Sequence, residues 1–143
     1  GNLTGNVRYN TTTTYDLNIS AANISETLAQ EISLSLTYTR RGFSFPLFGL
    51  NLNNDIDMTM TYSRTKNSRK THDPAVLSSN QEGVPLEGNT RTVLEPRVRY
   101  ALSSRVTASL FYRYTKIAPD EGGSLIPGTS TNEAGLDIHI SIQ

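Results

Sequence analysis

The chain has no cysteine, no tryptophan, only two methionines and no net charge. Without cysteine there can be no disulfide scaffold, no thiolate metal site and no cysteine nucleophile. Its 13 basic residues balance 13 acidic ones, so the basic excess that a nucleic-acid surface needs is missing and no nucleic-acid partner is expected. No apolar run approaches the roughly 20 residues of a membrane helix. That leaves membrane residence open, because a barrel strand hides half of its residues from any hydropathy window. Neither an initiator Met nor a signal sequence stands at Gly1, so residues 1–143 are expected to form a single segment of a longer, exported chain.

What the chain does have is alternation. From Gln30 onward Ile32, Leu34, Leu36 and Tyr38 alternate with Ser33, Ser35, Thr37 and Thr39. After Leu50 the series Leu52, Ile56, Met58, Met60 and Tyr62 is interleaved with Asp57, Thr59, Thr61 and Ser63. Successive side chains of a strand point to opposite faces, so each segment carries one greasy face and one hydrophilic face. The segments are long for soluble strands. A wall that is apolar outside and polar inside is what a transmembrane barrel requires. The expected fold is therefore all-β, an antiparallel transmembrane β-barrel wall of about six strands.

The first strand keeps one parity from Leu3 to Ala21, with room for a hairpin around Asn10–Thr13. Asn23 to Glu31 reads as a polar connection of weak helical character, followed by a strand over about Glu31–Arg41. Gly and Pro make RGFSFPLFG, residues 41–49, a turn. Strands are expected over about Leu50–Thr65, Asn89–Leu102, Val106–Ile117 and Asn132–Ile142. A bulge or distortion is expected at Pro96, which cannot donate to the ladder. Long loops are expected at about 66–88 and 118–131, and short turns at 41–49 and 103–105. If the C-terminus lies in the periplasm, both long loops fall outside and both short turns inside, as outer-membrane barrels have them.

Tyr38 with Arg40, Tyr62 with Arg64 and Tyr114 with Lys116 share an arrangement: a tyrosine, then a base two residues on, both on the apolar face. Tyrosine suits the headgroup level, and the base can snorkel to lipid phosphate. Tyr62, Tyr112 and Tyr114 are expected in an outer girdle, and Tyr38, Phe43, Phe45, Phe48 and Tyr100 in a periplasmic one. The other face should line a water-filled lumen with Asp57, Thr59, Arg91, Glu95, Arg97, Arg99, Arg113, Asp137 and His139. A three-residue turn at Ser103–Arg105 keeps the faces unmixed and sets Glu95 opposite Arg113 as a tie in the wall. His72 and His139 have no companions at metal-ligand spacing. Phosphate loops, nucleophile elbows and paired-carboxylate motifs are missing, so neither an enzyme nor a cofactor is expected. Six strands cannot close a transmembrane barrel, whose smallest form has about eight, so more polypeptide must complete this one.

The stretches TRTVLEPRVRYALSS (90–104), TSTNEAGLDIHISI (129–142), YDLNIS (15–20) and FPLFGL (45–50) resemble, in the same order, the C-terminal end of the SprA/Sov family. That family is the large outer-membrane translocon of the type IX secretion system in Bacteroidota and relatives. The resemblance implies that these strands are the last part of a giant single-chain barrel, about 36 strands in the largest known case. It implies localisation in the bacterial outer membrane, export of folded cargo proteins to the cell surface and, in some members, gliding motility. The partners it implies are a PorV-like shuttle barrel, a periplasmic plug and the secreted cargo. Membrane lipid, lipopolysaccharide and the rest of the barrel follow from the barrel reading itself. No catalytic residue is carried over. The chain departs from general barrel practice in ending Ile142–Gln143 without a terminal aromatic.

Two other readings stay open. Another large outer-membrane transporter would show the same alternation. A soluble surface-adhesion sandwich would need no lipid, but would place basic residues at the rim of its apolar face less readily.

Overall fold

The computed structural model describes residues 1–47, 50–73, 83–120 and 127–142, with side chains over the same ranges apart from 45–53. These residues form one six-stranded sheet in sequence order, β1 Asn2–Asn18, β2 Asn23–Leu47, β3 Leu50–His72, β4 Val84–Ala101, β5 Val106–Pro119 and β6 Thr129–Ile140. Every neighbouring pair is antiparallel. The sheet does not close; β1 and β6 are its edges. The first strand is unbroken, with no hairpin at Asn10–Thr13.

Two strands run well past their expected ends. Asn23–Glu31 is not a connection but the first part of β2, and Lys66–His72 is not loop but the end of β3. They pair with each other: Ser25 lies opposite Thr71 and Thr27 opposite Arg69. Neither segment has an apolar rhythm, so hydrophobic periodicity could not report them. Main-chain pairing and a few polar side chains hold them together instead. Arg69 Nε donates to Ser25 Oγ at 2.9 Å, and His72 Nε2 lies 2.6 Å from Glu26 Oε2. The fourth strand likewise starts at Val84, earlier than Asn89, and the sixth at Thr129, earlier than Asn132.

The expected turn at 41–49 is mostly ladder, since β2 continues to Leu47. It carries a bulge in which Arg41 and Gly42 stand opposite the single residue Asp55. Gly42 has φ 65°, in the left-handed region glycine enters without steric cost, and its N–H donates to Asp55 Oδ1 at 3.3 Å. The extra residue shifts the parity of everything beyond it. At the opposite end, β1 and β2 are joined through Ala22, a non-glycine residue at φ 47°, and Asn18 Oδ1 accepts from the Ala21 N–H at 3.0 Å.

Among the described residues only Ile56, at 9% exposure, and Gly88 count as buried. There is one layer and no core. A single sheet with one apolar face is not a stable object in water, so something must cover that face.

Candidate functional site

The register sorts the residues into two faces without an exception among those singled out in the sequence. Asp57, Thr59, Arg91, Glu95, Arg97, Arg99, Arg113, Asp137 and His139 all lie on one face. Tyr38, Arg40, Tyr62, Arg64, Tyr100, Tyr112, Tyr114 and Lys116 all lie on the other. Phe43 joins this second face only because of the bulge at Gly42; unbroken alternation from Tyr38 would have put it on the first. The side chains of Phe45 and Phe48 lie outside the described residues.

On the polar face Glu95 is the hub. Arg113 Nε donates to Glu95 Oε2 at 2.7 Å, and Arg97 Nη2 to Glu95 Oε1 at 3.2 Å. Arg113 Nη1 also reaches Glu133 Oε2 at 3.2 Å, which links β4, β5 and β6 through side chains. Pro96 interrupts the ladder without shifting it: Glu95 and Pro96 have no ladder partner on β5, but Leu94 pairs with Tyr114 above them and Arg97 with Phe111 below them in one continuous count. The expected opposition of Glu95 and Arg113 is therefore found. Sequence reading missed a second element beside this hub. The Phe111 ring lies across Gly135 on the next strand, where a Cβ would fall on the ring, and the Arg97 guanidinium stands 5.3 Å from the ring centroid. Glycine here makes room for an aromatic neighbour, a device known to pin strand register. The signal available was a lone Phe in a polar register, across from a Gly.

On the apolar face the greasy residues form a band. Its unbroken runs end above at Tyr9 and Ile32 on β1 and β2, which pair; past Thr11, Thr13 and Gln30 the same face carries Leu28 and the paired Leu17 and Ile24. On β3, β4 and β5 the ends are Tyr62, Leu94 and Tyr114, which pair in one row. On β6 the end is Ala134, level with Leu36 of β2 and so four residues from the level of Ile32. The lower ends step the same way, from Tyr38 to the paired Ile56 and Tyr100 and then to the paired Val106 and Ile140. Both edges thus cross the sheet obliquely and in parallel. Four residues are ~13 Å along a strand and the five strand intervals from β1 to β6 ~24 Å across, so the band makes an angle of ~30° with the hydrogen-bond rows. Leu110, Leu136, Ile138 and Ile140 in this band are 57–63% exposed.

The lower rim is tied by aromatic and amide groups. Tyr100 Oη donates to the Phe43 carbonyl at 3.1 Å, and Arg40 stands 5.6 Å from the centroid of the Phe43 ring. Asn54 Nδ2 donates to the Leu102 carbonyl at 3.0 Å, joining the two lower turns. The upper rim carries Tyr112, whose hydroxyl donates to Asn132 Oδ1 at 2.6 Å. Beyond it Lys66 pairs with Asp120 at 3.6 Å. Among the described residues no group of three or more His, Asp or Glu is placed to hold a metal ion. No family model, curated protein or solved structure matches the chain.

Proposed function

We propose that this sheet is part of the wall of an outer-membrane β-barrel, with the Tyr and Leu band in lipid and the Glu95–Arg113 face toward a water-filled lumen. One observation carries the reading: the apolar band is oblique by ~30°, close to the tilt of roughly 35–45° at which barrel strands cross the bilayer. A band lying flat in a membrane must run obliquely across tilted strands. A sheet covered by a second protein layer has no reason to keep both edges parallel and both lined with tyrosine. The apolar runs span seven residues on β2, β3 and β4, from Ile32 to Tyr38, Ile56 to Tyr62 and Leu94 to Tyr100. With their flanking interfacial residues they approach the ~9–11 residues of a membrane strand.

The open edges at β1 and β6 would each leave a row of unpaired backbone groups in lipid, at several kcal/mol apiece, so further strands must close the wall. The resemblance to the SprA/Sov family gives the finer version of the proposal: a segment of a protein-translocation pore of the type IX secretion kind. In that role the wall performs no chemistry. It separates lipid from a hydrated passage, and its charges balance one another across neighbouring strands. Deleting the gene in its host tests this version. The account expects secreted proteins to disappear from the cell surface and accumulate in the periplasm; unchanged surface export would reject it.

A further inference from the structure

One row of the apolar-face register has an unusual makeup. Arg64 on β3, Thr92 on β4 and Lys116 on β5 stand side by side, Thr92 paired with both neighbours. The row lies one step beyond Tyr62, Leu94 and Tyr114, at the upper edge of the greasy band. Both cations are exposed, and neither makes an ion pair or hydrogen bond with a described residue. Lys66, one step further out, differs: it is committed to Asp120, whose other carboxylate oxygen accepts from Thr90 Oγ1 at 3.3 Å. Two uncommitted positive charges therefore flank one hydroxyl, with a lipid-compatible surface beneath them and polar strand above.

The backbones of Arg64 and Lys116 are two strand intervals apart, ~10 Å. Long basic side chains can close on an anion held above Thr92 from that distance, and guanidinium and ammonium both donate to phosphate oxygens. Isolated cations at an aqueous surface would be equally at home anywhere on the strand. Their place at the edge of the band, level with each other, is what a phosphate fixed to a lipid needs. The edge concerned lies on the side of the two long connections, 73–83 and 120–128, together with the short 19–22, whereas the opposite side has only short ones, 48–49 and 102–105. In an outer-membrane barrel the long connections are extracellular.

We propose that Arg64, Thr92 and Lys116 form a binding row for the phosphate of a phosphorylated glycolipid headgroup in the outer leaflet. The proposal rests on the barrel reading above and adds a ligand to it. The test uses the complete membrane-inserted protein in nanodiscs, with lipid A, with enzymatically dephosphorylated lipid A, and with millimolar inorganic phosphate as competitor. Native mass spectrometry reads the lipid retained. Wild type should retain lipid A and release the dephosphorylated form. The double variant Arg64→Gln/Lys116→Gln should bind lipid A about thirtyfold more weakly, about fivefold for each cation removed near an anionic surface. The charge-keeping variant Arg64→Lys should stay within a few-fold of wild type, and Arg97→Gln on the opposite face should change nothing. Equal retention by wild type and the double variant, equal retention of both lipids, or displacement by inorganic phosphate would each overturn the proposal. Quenching of tyrosine fluorescence by brominated acyl chains separates the two levels. If quenching occurs but lipid A is not held, this inference fails and the barrel reading stands; if quenching is absent, the barrel reading itself has failed.

Discussion

Arg113 Nε lies 2.7 Å from Glu95 Oε2 across two strands whose ladder passes a proline at that level. Glu95 also takes Arg97, so one carboxylate serves two guanidinium groups, while Glu133 serves only Arg113. Removing the shared partner leaves two cations facing each other with less compensation. Glu95→Gln is therefore expected to lower the urea midpoint of the membrane-inserted protein more than Glu133→Gln does. Equal shifts would mean that the hub is an incidental surface contact, as many exposed ion pairs are.

Gly135 and Phe111 form a pair in which one residue's absence of side chain is the other's seat. Gly135→Ala would push the ring off its place and away from Arg97. The expected cost is about 1–2 kcal/mol, as for other overpacked sites. In a Phe111→Ala background the same substitution should cost close to nothing. A denaturant-based double-mutant cycle reads the difference, and additive effects would refute the pairing.

Gly42 sets the parity of the lower hairpin. Gly42→Ala is expected to cost about 1–2 kcal/mol because the left-handed region penalises a Cβ, and Gly42→Asn distinctly less. Deleting Gly42 should do something different in kind: it removes the extra residue, so that Arg41 alone opposes Asp55 and Phe43 keeps its place opposite Asn54 in an unbulged ladder. A cysteine placed at position 43 should then stay protected from an impermeant thiol reagent in the parent and in the deletion variant alike. Labelling of the deletion variant alone would contradict the account.

How far the sequence could be read depended on where the hydrophobic effect writes a signal. Across the greasy band every second residue must be apolar, so the two faces, the antiparallel order and the 103–105 turn were legible, and with them the opposition of Glu95 and Arg113. Above the band the apolar register thins: that face of β2 keeps only Leu28 and Ile24, and that face of β3 carries Lys66, Ser68 and Lys70. Glu26, Thr27, Lys66, Ser68 and Arg69 therefore read as connection or loop, although they are ladder held by main-chain pairing and by contacts such as Arg69 with Ser25. The bulge at Gly42 was hidden for another reason. Gly, Phe and Pro close together look like a turn, and only the partner strand reveals that an extra residue has been inserted. Pro96 was legible in part: its missing N–H interrupts the ladder at Glu95 and Pro96, but it inserts no residue and leaves the register between Leu94 and Arg97 unshifted.

The central claim is that one face meets lipid and the other meets water, and the chain's lack of cysteine makes it directly testable. Single cysteines would be placed at Leu34, Leu36, Met58, Met60, Val98, Leu110, Ile138 and Ile140 on one face, and at Thr59, Arg97, Arg113 and His139 on the other. The measurement is labelling of the membrane-inserted protein with a membrane-impermeant thiol reagent. The account predicts modification of the second set and protection of the first. The reverse pattern, or uniform labelling of both sets, would contradict it.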